Sequence, residues 1–325
     1  MLISVCICTY NRCTLLEHCL QPIKQLIDLR PKHAIEVIVI DNNSNDETSV
    51  VVSALIPSFP FKLRYVFEAE QGLSAARNRA IDEAQGDYLA FLDDECSVPP
   101  DWLAIAVEDI NEFRPMILGG PYVGAFLPGK RPQWFKIEYG NAPFLDYGFK
   151  KGFQETFRAS AGNMIVHRSV FGGVRFDINL GLKSDQLKLG EELGEEIELQ
   201  ERYLRAHPSQ KILYDPNMIV QHFIRPEKMK LSYRARRIFA NQLSDQSHVR
   251  QSYGNQEKLF VAFSKAFIEV ALAPRRSFLR NREKYPFWQN YIYEIALPSI
   301  IWHLVIIARW WWGEGEDQAP RQSLH

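Results

Sequence analysis

No apolar run in these 325 residues reaches the twenty or so needed to cross a bilayer as a helix. The late stretch IALPSIIWHLVIIA (Ile295–Ala308) offers fourteen uncharged residues and stops at Arg309. The N-terminus lacks the basic-then-apolar layout of a secretory leader, because LISVCIC runs straight into TYNR; the expected setting is cytoplasmic. Excess charge is missing too. The 38 Lys and Arg against 39 Asp and Glu leave a net charge of -1, which argues against a nucleic-acid partner. Cysteine is scarce and odd in number, with four of the five (Cys6, Cys8, Cys13, Cys19) among the first nineteen residues. Cys6 and Cys8, two apart on a strand, share a face and are poorly placed to bridge. A zinc cluster with His18 fits no usual ligand spacing, so buried reduced thiols are expected. There is no internal repeat and no low-complexity tract.

What is present is unevenly spread. Residues 1–222 carry 22 basic and 30 acidic side chains, a net of -8, while residues 223–325 carry 16 and 9, a net of +7. An acidic front suits a cation-using site, and a basic back suits an anionic surface or partner.

LISVCICTY reads as a buried strand, followed by a helical period from Thr14 to Leu29. VIVI (Val37–Ile40), KLRYVFE and YLAFL (Tyr88–Leu92) are further strands. GLSAARNRAIDEA is a helix opened by Gly72, with Ser74 as a candidate cap. Strands apolar on both faces and alternating with helices predict a doubly wound α/β fold, whose ligands bind outside the strands' carboxyl ends. The polar clusters TYNR, DNNSND and DDE each follow such an end, and so converge on one crevice. The Pro-, Gly- and aromatic-rich stretch from about Asn111 to Ala159 reads as a long, partly ordered loop segment of the kind that shapes a substrate pocket. A later helix carries Glu195 and Glu196 in its first turn, and KILYDPNMIVQHFI gives two strands ending near His222.

The run FLDDECSVPPDWL poses a question of charge. Asp93, Asp94 and Glu95 repel one another, and each loses solvation at the end of a buried strand. Either the run is a solvated turn or something positive sits among them. Clustered carboxylates suit Mg²⁺ or Mn²⁺, which keep one or two carboxylates together with phosphates and water. Asp41 can accept bonds from a ribose or base, or equally begin an Asx turn in DNNS.

SVCICTYNR, VIVIDNNSNDET, GLSAARNRAI, FLDDECSVPPDWL and GEEIELQERYLRA, in this order and spacing, resemble the family 2 glycosyltransferases with the GT-A fold, over about residues 3–222. The resemblance implies a Rossmann-like mixed sheet flanked by helices. It divides the chain into a nucleotide-sugar-binding half (1–110), an acceptor and catalytic-base half (111–225) and a basic, apolar helical extension (226–325). It further implies transfer of a sugar, with inversion, from a nucleoside-diphosphate sugar (UDP-linked as the first choice) to a hydroxyl. The acceptor would be a saccharide or a lipid-linked saccharide in cell-surface polysaccharide or glycolipid synthesis.

Carried over by position, Thr9, Asn11 and Asp41 would hold the nucleoside, Arg77 would approach the base or diphosphate, and Asp93 would meet the ribose. Glu95 stands at the metal end of the family's Asp-x-Asp motif, where its longer arm leaves the ligand role shared with Asp94. Glu196 would be the catalytic base, with Glu195 positioning it or the acceptor. The helix N-terminus would help to keep Glu196 ionised. His222 would complete the Mg²⁺ or Mn²⁺ site or be a structural strand histidine. Asn163 and Trp134 would face the acceptor. The competing GEE, Glu191-Glu192, lacks the apolar helix behind it. The positive partner of the DDE run is then a metal–diphosphate. A nucleotidyltransferase or a sugar-nucleotide binder without turnover would use the same acidic crevice. The basic segments RPEKMKLSYRARR and APRRSFLRNREK, with the aromatics around residues 295–312, fit either a segment lying peripherally on the inner face of a membrane or a helix packed on the domain.

Overall fold

The first strand, β1 (Leu2–Thr9), shows why the sheet is covered on both sides. Ile3, Val5 and Ile7 point to one face and Cys6 to the other, and all four are buried. The computed structural model describes residues 1–27, 33–126, 131–140, 150–183, 194–244, 264, 282–302 and 304. The chain divides into two compact units. One comprises Met1–Arg131, Lys136–Gln186 and Leu193–Arg225; the other comprises Pro132–Phe135, Leu187–Glu192 and Pro226–His325.

In the first unit β1 is followed by α1 (Cys13–Ile23), β2 (Ala34–Asp41), α2 (Thr48–Leu55), β3 (Lys62–Phe67), α3 (Leu73–Glu83), β4 (Tyr88–Asp93), the short β5 (Cys96–Ser97) and α4 (Trp102–Phe113). Then come β6 (Ile117–Gly119), β7 (Tyr122–Ala125), β8 (Gly152–Gln154), β9 (Met164–His167), α5 (Glu195–Ala206), β10 (Ile212–Tyr214) and β11 (Val220–Phe223). The main sheet runs β3-β2-β1-β4-β9-β6-β10-β8, and a small second sheet runs β5-β11-β7. From β3 to β4 the strands are parallel, whereas β9 is antiparallel to both β4 and β6, so the sheet is mixed. One core layer joins Ile3, Val5 and Ile7 to Leu16 and Leu20 of α1, Val52 of α2 and Trp102 of α4. The layer on the opposite face joins Ile38, Ile40 and Phe91 to Ala76 and Ala80 of α3 and to Leu199 and Tyr203 of α5.

The structure differs from the sequence reading in the region from Asn111 to Ala159. Instead of one long loop it contains β6, β7 and β8, and β6 lies inside the main sheet. Three- and four-residue strands rich in Gly leave no period to read. Gly119 at the end of β6 and Gly120 after it are there for space: a Cβ would lie 2.6 Å from Ala159 Cβ at the first and 2.2 Å from the Met218 carbonyl oxygen at the second. Ser74 is not a cap either. It lies inside α3, whose first flanking residue is Gly72, and its hydroxyl donates to the Leu180 carbonyl at 2.8 Å.

In the second unit the described residues include α6 (Leu231–Ser244) and a helical stretch that opens at Trp288–Tyr291 and passes through a π-helical turn at Ile292–Ala296. Ile238 and Ile301 pack together, and the Arg234 guanidinium lies 4.6 Å from the centre of the Tyr293 ring. No described helix is long and apolar enough to cross a membrane. The sequence segment 295–312 lies only partly within the described residues.

Candidate active site

The polar clusters after β1 and β2 are stitched together by short bonds. Asn11, at a positive φ of 52°, accepts from the Asn45 amide at 2.7 Å, and its own amide donates to Ser44 Oγ at 2.8 Å. Asp41 does what an Asx-type turn requires, accepting from the Ser44 amide at 2.9 Å. Its other oxygen accepts from the Tyr65 hydroxyl at 2.7 Å. Asn42, which the sequence reading passed over, clamps the loop ahead of α3. Its Oδ1 accepts from the Gly72 amide at 2.7 Å, and its Nδ2 donates to the Glu70 carbonyl at 2.6 Å. These loops border an open cleft that includes Thr9, Arg12, Asn42, Gln71, Ala76 and Asp94 in its wall.

The three acids after β4 diverge, and the chain supplies a cation to each. Asp93 Oδ1 lies 3.4 Å from Arg77 of α3. Asp94 turns the other way and is buried, accepting from the Thr9 hydroxyl at 2.8 Å and from Arg12 at 3.0 Å. Burial still raises its carboxyl above the ordinary range, with Arg12 opposing and Glu95 adding to the shift. Glu95 pairs with Arg225 at 3.0 Å and with His222 Nε2 at 3.1 Å. The chain itself thus supplies positive charge to the run: arginines from three separate parts of the chain sit among the carboxylates. Arg12 and Arg225 follow directly on quoted motifs, in TYNR and QHFIR, yet nothing local says which acid each one meets.

Arg77 is buried, and its guanidinium joins the Asp93 carboxylate to that of Glu195 at the start of α5. It also lies 5.5 Å from the centre of the Phe176 ring. Burial works against its charge, but Glu195 first and then Asp93 and Glu196 more than compensate, so its pKa goes up and it stays a cation. Arg77 is engaged by the protein's own acids. Gly181, at a φ of 90°, makes room for this contact, because a Cβ there would lie 3.2 Å from the Glu195 carboxyl carbon. Glu196 is half-buried beside the bridge. Burial pushes its carboxyl up to about 7 from the ordinary 4.5, with the charges of Glu195 and Asp93 adding and Arg77 opposing. The helix N-terminus was expected to keep Glu196 ionised; desolvation and the neighbouring carboxylates outweigh it.

Antiparallel pairing of β11 with β5 sets His222 opposite Cys96. Asp93, Cys96 and His222 offer atoms within 4.8 Å of one another, the one group of three potential metal ligands among the described residues. Asp94 is not part of it, while Glu95 adjoins it through His222. A carboxylate and an imidazole fit Mn²⁺ or Mg²⁺. The Cys96 thiol does not, because burial and the nearby acids raise its pKa and keep it protonated.

The two residues that the resemblance turns toward the acceptor both have partners within the protein. Asn163 is fully buried, accepting from Trp102 Nε1 at 3.0 Å and donating to the Met218 and Pro121 carbonyls at 2.6 and 3.1 Å. It ties α4 to the chain just ahead of β7 and β11, with both of its N–H groups engaged inside the protein. Trp134 belongs to the second unit, where its ring centre lies 6.1 Å from that of Tyr293. The rival pair Glu191-Glu192 lies outside the described residues.

A Rossmann-like mixed sheet with an acidic crevice at its strand ends defines a GT-A type of fold. The sequence model described as "Glycosyl transferase family 2" matches residues 4–174, and the chain belongs to that family. It is 33% identical over 136 residues to the succinoglycan biosynthesis protein ExoM of Rhizobium meliloti, covering 41% of this chain and 42% of that one. It is 30% identical over 119 residues to the GalNAc(5)-diNAcBac-PP-undecaprenol beta-1,3-glucosyltransferase of Campylobacter jejuni, covering 36% and 37%. The matches thus span about two fifths of these curated relatives. Among solved structures, the mannosyltransferase PcManGT of Pyrobaculum calidifontis, in complex with GDP-Man and Mn²⁺, superposes with a TM-score of 0.60 at 15% identity, covering 96% of this chain and 87% of that one. At that identity the likeness shows the fold.

Proposed function

We propose that this protein is an inverting glycosyltransferase that moves a sugar from a nucleoside-diphosphate sugar, UDP-linked in the first instance, to a hydroxyl of a saccharide or lipid-linked saccharide. The product would enter cell-surface polysaccharide or glycolipid, made on the cytoplasmic face of a membrane. Residues 1–110 would hold the donor, and residues 111–225 the acceptor and base. Both curated relatives act, by name, in processes of this kind, the Campylobacter enzyme on an undecaprenol-linked glycan.

The observation that carries the reading is the Arg77 bridge. It ties Asp93, at the nucleotide end of the crevice, to Glu195, and so keeps Glu196 with the donor-side acids. In the proposed displacement Glu196 takes the proton of the acceptor hydroxyl. The acceptor oxygen bonds to the anomeric carbon as that carbon's bond to phosphate breaks, and the nucleoside diphosphate leaves with the electron pair. Bond making opposite bond breaking inverts the centre. Thr9, Asn11 and Asp41 would line the nucleoside end. Asp93, Glu95 and His222 would hold Mg²⁺ or Mn²⁺, which supplies charge neutralisation for the departing diphosphate.

Glu196→Gln tests the assignment, since it keeps shape and removes the base. Transfer is expected to fall by about 10²–10⁴ with donor affinity retained. If transfer survives unchanged, Glu196 is not the base. Nucleotide monophosphate transfer that survives the substitution would favour a nucleotidyltransferase, and no release of nucleoside diphosphate from wild type would favour a pure binder.

A further inference from the structure

The second unit exposes side chains that a folded surface ordinarily hides. Along the helical stretch that opens at Trp288–Tyr291, Tyr291, Tyr293, Ala296 and Ile301 face inward and are buried. Outward, Trp288 is 54% exposed, Ile295 44% and Trp302 38%, and Phe287 precedes them at 38%. Ile295 and Trp302 are seven residues apart on helix and so share a stripe. Two indoles and an isoleucine presented to water along one helical stretch are a costly display unless something covers them.

The same unit also exposes positive charge. Arg282 and Lys284 are exposed just before the stretch, with only Glu283 between them to offset, and Lys230 and Arg237 are exposed on and beside α6. The sequence from residue 223 onward has a net charge of +7, and beyond the described helix it continues into Arg309 and three tryptophans. Indoles at the level of lipid headgroups, flanked by lysine and arginine, are what an interfacial helix presents to a bilayer. A second copy of this chain fits less well. In a two-fold contact each patch meets itself, which would bring these arginines and lysines against their own counterparts.

We infer that the Phe287–Trp302 face, together with Arg282, Lys284 and Arg237, is a docking surface for an anionic phospholipid bilayer. It seats the protein at the interface without spanning it. The inference deepens the proposal of a lipid-linked acceptor and rests on that proposal for its purpose, since a surface-bound enzyme meets such acceptors in two dimensions.

Vesicle flotation of the full chain, without donor or metal, tests it apart from catalysis. Vesicles of phosphatidylcholine alone and of phosphatidylcholine with phosphatidylglycerol are compared at low and high salt. Wild type is expected to float with the anionic vesicles, and to release them at high salt because exposed charges are screened. Arg282→Gln with Lys284→Gln should weaken binding roughly five-fold for each charge removed. Trp288→Ser with Trp302→Ser should weaken it by about ten-fold or more, with an unchanged thermal melt showing that the fold survives. The inference is overturned if wild type floats with neither vesicle, if it floats equally with both at any salt, or if the tryptophan variant binds as wild type does. It is also overturned if that variant changes only the oligomeric state in sedimentation. Nucleoside-diphosphate release to a water-soluble acceptor, measured in parallel, reports on the glycosyltransferase reading separately.

Discussion

At Glu196, the proposed base, two requirements oppose each other. A base must be ionised to take a proton, yet burial beside Glu195 and Asp93 holds this carboxyl up at about 7. Transfer by the free enzyme should therefore rise as pH increases through about 7, well above the range of an ordinary glutamate. The same shift has a cost for folding. A carboxyl whose pKa is higher folded than unfolded contributes stability below its unfolded value, and that contribution is lost as pH rises toward the folded value. Here the window runs from the ordinary 4.5 up to about 7. Glu196→Gln should therefore be more stable than wild type above that window, by roughly 1–3 kcal/mol. Below it the two should converge. Urea midpoints on either side of the window check this; a wild type that is the more stable at high pH would remove the strain assigned to Glu196. Arg77 moderates the strain, as the buried cation that lets Asp93 and Glu195 coexist. Its position in GLSAARNRAI marks it as a site residue in the sequence, but its partners come from two other elements.

Among the elements, the link between α4 and the chain around the second sheet runs through one amide. Asn163→Ala leaves the Trp102 indole NH and the Met218 carbonyl without their partner inside the protein. Each lost bond to a buried group costs about 1–3 kcal/mol, so the variant should lose roughly 2–4 kcal/mol in denaturant unfolding. Unchanged stability with a raised KM for acceptor would instead return Asn163 to the sugar. Elements of this kind divide by how local their cause is. β1, β2 and β4 are continuous apolar runs and stand out in the sequence, as does the helical period of α1. β5, β6 and β7 do not, being two to four residues long and held by pairing with strands far along the chain.

For the whole molecule, the proposed function has the acids of the crevice bind a cation and a diphosphate better together than apart. Neither ligand has an affinity for the unfolded chain that depends on this geometry, so both should raise the melting temperature. UDP-sugar with Mn²⁺ is expected to stabilise more than the sum of the two added singly; a ligand at a hundred times its dissociation constant contributes about 2.7 kcal/mol. A panel of UDP-, GDP- and dTDP-sugars read by thermal shift, with and without Mn²⁺, measures this and ranks the bases. A UDP-sugar shift indifferent to Mn²⁺ and EDTA would remove the metal from the proposed donor site.

The order of strands and helices, the polar clusters at the strand ends and the pair of glutamates opening α5 could all be read along the chain, because each depends on neighbours within a few residues. Which arginine meets which carboxylate could not. Arg12, Arg77 and Arg225 are distant from one another in sequence, and each reaches its acid only after β1, α3 and β11 are packed around the end of β4. The proton affinity of Glu196 is likewise a property of the folded crevice, since desolvation and like-charge repulsion exist there only once the chain has brought the carboxylates together.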